Sequence, residues 1–203
     1  MNRKIIIFII TVFCLSTVLP VSVKASVVTD EVKRTVDDVI KIVTDKELKK
    51  PANEQKRRNE LKAAIGRIFD YRQMAKRSMA IHWKTLTPAQ QNEFVDLFST
   101  LLENSYAGKI ESYNKEKIVY DKELVEGNYA QVNSRVITPK RDEYSLDYRL
   151  LKEGDKWMVY DVVIEGVSLV SNYRTQFNKI INDQGYKELV KKMRTKSEEI
   201  GNP

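Results

Sequence analysis

Residues 164–177 read I-E-G-V-S-L-V-S-N-Y-R-T-Q-F. The run Val162, Val163 and Ile164 is strand-like, Gly166 breaks it, and the apolar residues beyond recur at helical spacing. A strand that turns at a glycine into an equally apolar helix must lay sheet and helix against each other. That arrangement is α+β.

Upstream of this corner the period is that of strands. Lys117–Leu124, Tyr129–Thr138, Tyr144–Lys152 and Trp157–Ile164 read as four strands, joined by Glu126-Gly127-Asn128, Pro139–Glu143 and Glu153-Gly154-Asp155. Tyr144, Leu146, Tyr148 and Leu150 alternate with Ser145, Asp147 and Arg149, as in a half-buried antiparallel strand.

Before the strands the pattern is helical. Val28, Val32, Val36, Val39, Ile40 and Val43 share one face, and Lys49-Lys50-Pro51 closes that element. A second helix starts near Asn53 and carries Leu61, Ala64, Ile65 and Ile68. Asp70 with Gln73 has the form of a capping box that opens a short third helix to about His82. Thr87-Pro88-Ala89-Gln90 opens a long fourth one, striped by Phe94, Leu97, Phe98, Leu101, Leu102, Tyr106, Ile110 and Tyr113. Downstream, helices over about 168–182 and 186–199 flank Asp183-Gln184-Gly185.

The first 25 residues stand apart. Met1-Asn2-Arg3-Lys4 is a positive n-region, Ile5 to Leu19 an apolar h-region, and Val23-Lys24-Ala25 a cleavage site before Ser26. A secretory signal peptide over 1–25 and one domain over 26–203 are therefore expected. Cys14, the single cysteine, lies in the h-region, so the mature chain would carry no thiol, disulfide or Cys-ligated metal. Removing Arg3, Lys4 and Lys24 lowers the formal charge from +7 to +4, and both signs are interspersed. This describes a solvated surface and no nucleic-acid protein.

Catalytic groups are scarce. His82 is the only histidine and stands beside Trp83, so a multi-histidine metal site is excluded. No H-E-x-x-H, G-x-S-x-G or glycine-rich phosphate loop occurs. Asp161 and Glu165 would share a strand face with Trp157, Val159 and Val163, but four strand residues separate their Cα atoms by about 13 Å. The reading is one acid paired with a helix-borne arginine such as Arg174 and the other solvated. Apolar groups abound instead, with stripes on at least four helices facing one small sheet. Residues alone leave open whether they fill a core or surround a hollow.

Two segments resemble a known family. Phe69-Asp70-Tyr71, Met74-Ala75, Trp83, Thr87-Pro88, Gln91, Phe94, Phe98, Leu102 and Tyr106 form the first. Asp161-Val162, Ile164, Gly166-Val167-Ser168-Leu169-Val170, Asn172-Tyr173-Arg174 and Gln176-Phe177, followed by Gly185, form the second. In order and spacing they resemble the MlaC family of periplasmic phospholipid-binding proteins, also called the toluene-tolerance family, from about residue 30 to about residue 195.

The resemblance implies a periplasmic, non-enzymatic carrier moving glycerophospholipid between outer and inner membranes and so maintaining outer-membrane lipid asymmetry. Implied partners are phospholipid, an inner-membrane MCE-domain/ABC transporter complex and an outer-membrane lipoprotein complex, with no cofactor beyond the lipid cargo. A monomer is expected of a shuttle that docks alternately at two sites. The implied fold is a curved antiparallel sheet of about four strands wrapped by helices, NTF2-like, with acyl chains between sheet and helices. The expected cavity wall is Phe69, Met74, Phe94, Phe98, Leu101, Tyr106, Val132, Leu146, Tyr148, Trp157, Val163, Val167, Leu169, Val170 and Tyr173. Asn172 and Arg174 are expected to brace the strand–helix junction. Two alternatives stand beside the carrier: a periplasmic lipid-modifying enzyme using Asp161 or Glu165, and a structural adaptor with a solid core.

Overall fold

In the computed structural model, residues 27–201 are described, and the expected signal peptide lies outside them. Helix α1 (Val27–Thr44) and α2 (Glu54–Gly66) form an antiparallel pair, followed by α3 (Tyr71–Met79), a 3-10 segment at Ala80–Thr85 and the long α4 (Pro88–Glu111). Five strands follow: β1 (Lys117–Glu126), β2 (Tyr129–Ile137), β3 (Glu143–Glu153), β4 (Lys156–Ile164) and the two-residue β5 (Val167–Ser168). Helices α5 (Leu169–Gln184) and α6 (Tyr186–Gly201) complete the chain. The strands pair antiparallel in sequence order. The fold is the expected α+β one, with one short strand more than periodicity suggests.

Local chemistry accounts for the boundaries. Gln90 N–H donates to Thr87 Oγ1 at 3.3 Å and Thr87 N–H to Gln90 Oε1 at 2.9 Å, the reciprocal capping box expected at the start of α4. Asp70 caps α3 by accepting from Gln73 N–H at 2.8 Å. The expected extension of α3 to His82 is cut short at Ala80, where φ is 47°. Past it the chain tightens into the 3-10 segment, which Gln91 holds by donating from Nε2 to the carbonyl of Trp83 at 3.1 Å. Between β4 and β5 both turn residues, Glu165 and Gly166, have positive φ, as in a type I′ hairpin.

Two bulges bend the sheet. Asp121 is the extra residue in β1, and Tyr160 the extra residue in β4 between the pairs Leu150↔Val159 and Arg149↔Asp161. The second bulge has the larger consequence. A strand's side-chain period is two, so one inserted residue exchanges the faces of everything beyond it. Trp157 and Val159 face inward before the bulge, and Val162 and Ile164 face inward after it. The free edge of β4 is closed twice. Val159 exchanges backbone bonds with Ile68 and Asp70, at 2.7 and 2.9 Å, and β5 covers Val163 and Ile164.

Apolar residues collect in two clusters. One is helical and joins α3, α4, α5 and α6 around Phe94, Phe98, Phe177 and Leu189. The other joins the start of α1 to the sheet through Val28, Val32, Val132, Leu150, Trp157 and Val159. Phe69 packs against both.

Candidate functional site

Between the sheet, α1, α2 and α4 the interior is hollow, with a cavity of about 800 Å³. Its existence follows from where the large side chains go. The rings of Phe94 and Phe98 stack at 5.9 Å, and Phe177 meets both edge-on at 5.6 and 5.5 Å, so these three rings are consumed among the helices. At the closed end of the sheet, Val28 and Val32 of α1 pack on Val132, Leu150 and Trp157. Farther along α1 the stripe continues as Val36, Val39, Ile40 and Val43, and these border the cavity instead of filling it.

Three further walls complete the chamber. The sheet contributes Val136, Tyr144, Leu146, Tyr148, Val159, Val162 and Ile164, and α4 contributes Leu102, Tyr106 and Ile110. Phe69, Met74 and Leu169 border it from the junction with the helical core. Burial pushes up the hydroxyl of Tyr148, and burial followed by the nearby Glu103 carboxylate pushes up that of Tyr71. Both stay neutral at physiological pH and add no charge to the wall. The flank made by α2 is mixed, for there Gln55, Arg58, Asn59 and Lys62 line the cavity beside Leu61 and Ile65.

Six of the fifteen residues expected in the wall line this cavity: Phe69, Met74, Tyr106, Leu146, Tyr148 and Leu169. Nine sit elsewhere, each for a definite reason. Phe94, Phe98, Leu101 and Val170 are consumed in the helical core, and Tyr173 packs on it with its ring 5.1 Å from that of Phe98. Val132 and Trp157 plug the closed end. Val163 lies beyond the Tyr160 bulge and so falls on the opposite face of β4, while its neighbours Val162 and Ile164 line the cavity. Val167 follows the hairpin turn and is 59% exposed. Sequence reasoning missed the α1 stripe as a wall although its spacing was plain. It missed Val162 and Ile164 because nothing in the sequence marks the bulge.

The two carboxylates considered for chemistry do not converge. Asp161 is 3% exposed and fully engaged: Oδ1 accepts from Val170 N–H at 3.0 Å, and Oδ2 from Ser168 Oγ at 2.6 Å and Arg149 Nη1 at 3.2 Å. Its ion-pair partner is thus Arg149 on β3 and not a helix-borne arginine. It ties the first turn of α5 to the sheet. Glu165, on the β4–β5 turn, accepts from Ser145 N–H. Neither lines the cavity. Arg174 Nε donates to the Arg77 carbonyl at 2.9 Å, joining α5 to α3, and Asn172 Oδ1 accepts from Gln176 one turn on at 3.2 Å. His82 bonds Asn178 of α5 at 2.9 Å on the surface. Among the described residues no helix is long and apolar enough to cross a membrane.

Comparison with known proteins agrees with this geometry. The model of the MlaC protein family matches residues 33–195. The intermembrane phospholipid transport system binding protein MlaC of Haemophilus influenzae is 30% identical over 117 residues, 55% of this chain and 55% of that protein. The toluene tolerance protein ttg2D of Pseudomonas putida is 25% identical over 127 residues, 62% of this chain and 59% of that protein. The chain thus matches somewhat over half the length of these two relatives. A phospholipid-binding protein from Ralstonia solanacearum, solved in complex with a phospholipid, superimposes with a TM-score of 0.78 at 28% identity. That match covers 86% of this chain and 99% of the solved one.

Proposed function

The chain belongs to the MlaC family, and we propose from that premise that it is a periplasmic carrier of glycerophospholipid. It takes lipid at one membrane of a Gram-negative envelope and yields it at the other, without chemical change to the cargo. Its docking partners in this reading are an inner-membrane MCE-domain/ABC transporter complex and an outer-membrane lipoprotein complex, and its task is to keep the outer membrane's lipids asymmetric.

The observation that carries the proposal is the apolar cavity of about 800 Å³ between α1 and the inner face of the sheet. That size falls in the upper part of the range for ligand sites of about 300–1,000 Å³. A diacyl lipid presents about 30 methylene-type groups, and at about 0.8 kcal/mol each their exposure to water costs on the order of 20–25 kcal/mol. Unassisted passage across an aqueous gap is therefore negligible. A carrier must offer walls close to the bilayer in apolarity, and valine and isoleucine offer them without polar groups to desolvate, while neutral tyrosine adds no charge. The likeness to a solved protein that holds a phospholipid supports the same cargo class.

The test is extraction of the purified, signal-cleaved protein with organic solvent, followed by mass spectrometry of the extract. Co-purified glycerophospholipid is expected, and Leu169→Glu, which puts a charge into the wall, should abolish it. A lipid-free wild-type extract that stays lipid-free after incubation with phospholipid vesicles would overturn the proposal. Turnover of a fluorescent phospholipid, lost in Asp161→Asn, would instead establish an enzyme.

A further inference from the structure

The cavity-facing side of α2 is mixed: Leu61 and Ile65 continue the apolar wall, and beside them runs a polar stripe. Gln55, Arg58, Asn59 and Lys62 fall at i, i+3, i+4 and i+7, one continuous stripe, and all four line the cavity. Gln55, Asn59 and Lys62 are also exposed, as is Lys109 of α4, so this flank is the mouth of the chamber. Facing these cations from α4, the segment before β1 and α6 are Glu103, Glu116 and Glu198. The lining therefore carries three cations and three carboxylates.

Their commitments leave capacity for a ligand. Lys62 Nζ reaches Glu103 Oε2 at 3.1 Å, and Arg58 Nη2 reaches Glu54 Oε1, outside the lining, at 2.9 Å. Arg58 Nε is buried without a hydrogen-bond partner. Lys109 Nζ has the ring of Tyr106 at 5.6 Å and no carboxylate within ion-pair distance among the described residues. An acyl chain gains nothing from such groups, but a phosphodiester needs them, because burying its charge beside unpaired apolar walls is costly.

We infer that the α2 stripe, with Lys109 of α4, seats the headgroup phosphodiester of the carried lipid, and that its balanced charge favours a zwitterionic headgroup over a net-anionic one. The inference rests on the carrier reading and adds to it where the lipid enters and which headgroup class it holds. Arg58 and Lys109 pair with the phosphate oxygens. A headgroup ammonium meets the carboxylates of Glu116 and Glu198, an attraction that a net-anionic headgroup without an ammonium lacks. The tails then run inward along α1 and β4.

The experiment uses the full signal-cleaved chain, stripped of lipid and reloaded from vesicles of equal parts phosphatidylethanolamine and phosphatidylglycerol. Bound lipids are counted by mass spectrometry, and release to acceptor vesicles is timed. Wild type should hold a several-fold excess of phosphatidylethanolamine. Arg58→Gln/Lys109→Gln should stay folded, checked by its melting temperature, release lipid about tenfold faster and lose the headgroup bias. Wild-type release and bias in that variant would overturn the inference while leaving the carrier intact, whereas failure of both proteins to load lipid would overturn the carrier reading itself. Free phosphate is the other possible source of the same anion. A phosphorus-31 titration of the stripped chain with inorganic phosphate should show no millimolar binding that depends on Arg58 and Lys109, and such binding would reassign the site to free phosphate.

Discussion

The two apolar regions of this molecule are built from similar residues and reach opposite outcomes. Among α3, α4, α5 and α6, Phe94 and Phe98 stack and Phe177 meets both edge-on, in a core of buried side chains. Between α1 and the sheet, valines, isoleucines and separate tyrosines stand around a chamber they do not fill. The first region holds the fold together; the second holds it open. Mutual ring packing, and not hydrophobicity, separates them.

That contrast breaks or sharpens under substitution. The largest effect on stability belongs to the filled region. Phe98→Ala removes a fully buried ring from a stacked trio and should cost about 3–5 kcal/mol, read as a lower denaturant midpoint, with lipid still bound by the folded fraction. Next is the seam between the two regions. Asp161→Ala leaves Val170 N–H and Ser168 Oγ without their acceptor and should cost about 2–3 kcal/mol, with hydrogen exchange accelerated first in the opening turn of α5. Arg149 is partly solvated, so its share in that cost is small. In the hollow region the sign of the result changes. Val39→Phe fills space and should alter stability by less than about 1 kcal/mol while lowering the lipid that co-purifies. Last, Arg174→Ala removes the single bond from α5 to the Arg77 carbonyl and should cost about 1 kcal/mol. Unchanged melting with lost lipid would move Arg174 from brace to cargo contact.

The sequence displayed nearly all of the elements and their caps, because capping residues, turn glycines and apolar period act locally. Thr87, Asp70 and Gly166 each do in the fold what their neighbours along the chain require of them. It could not display which apolar residues meet which, since that is a property of packing. Phe94 and Phe98 looked like wall candidates as much as Tyr106 does, for all three lie on one stripe of α4. The Tyr160 bulge exchanged Val163 for Val162 and Ile164, and no residue type announces a bulge in β4. The α2 stripe was written at helical spacing all along. Read as ordinary solvated polarity, it gained meaning only once the chamber lay beside it.

The most direct test of the hollow-and-filled account is an electron-density map of the lipid-loaded protein. Continuous acyl density along Val39, Leu146, Val162 and Ile164, with none among Phe94, Phe98 and Phe177, is the result expected. A chamber collapsed to a solid interior, or a tail threaded between those three rings, would contradict it.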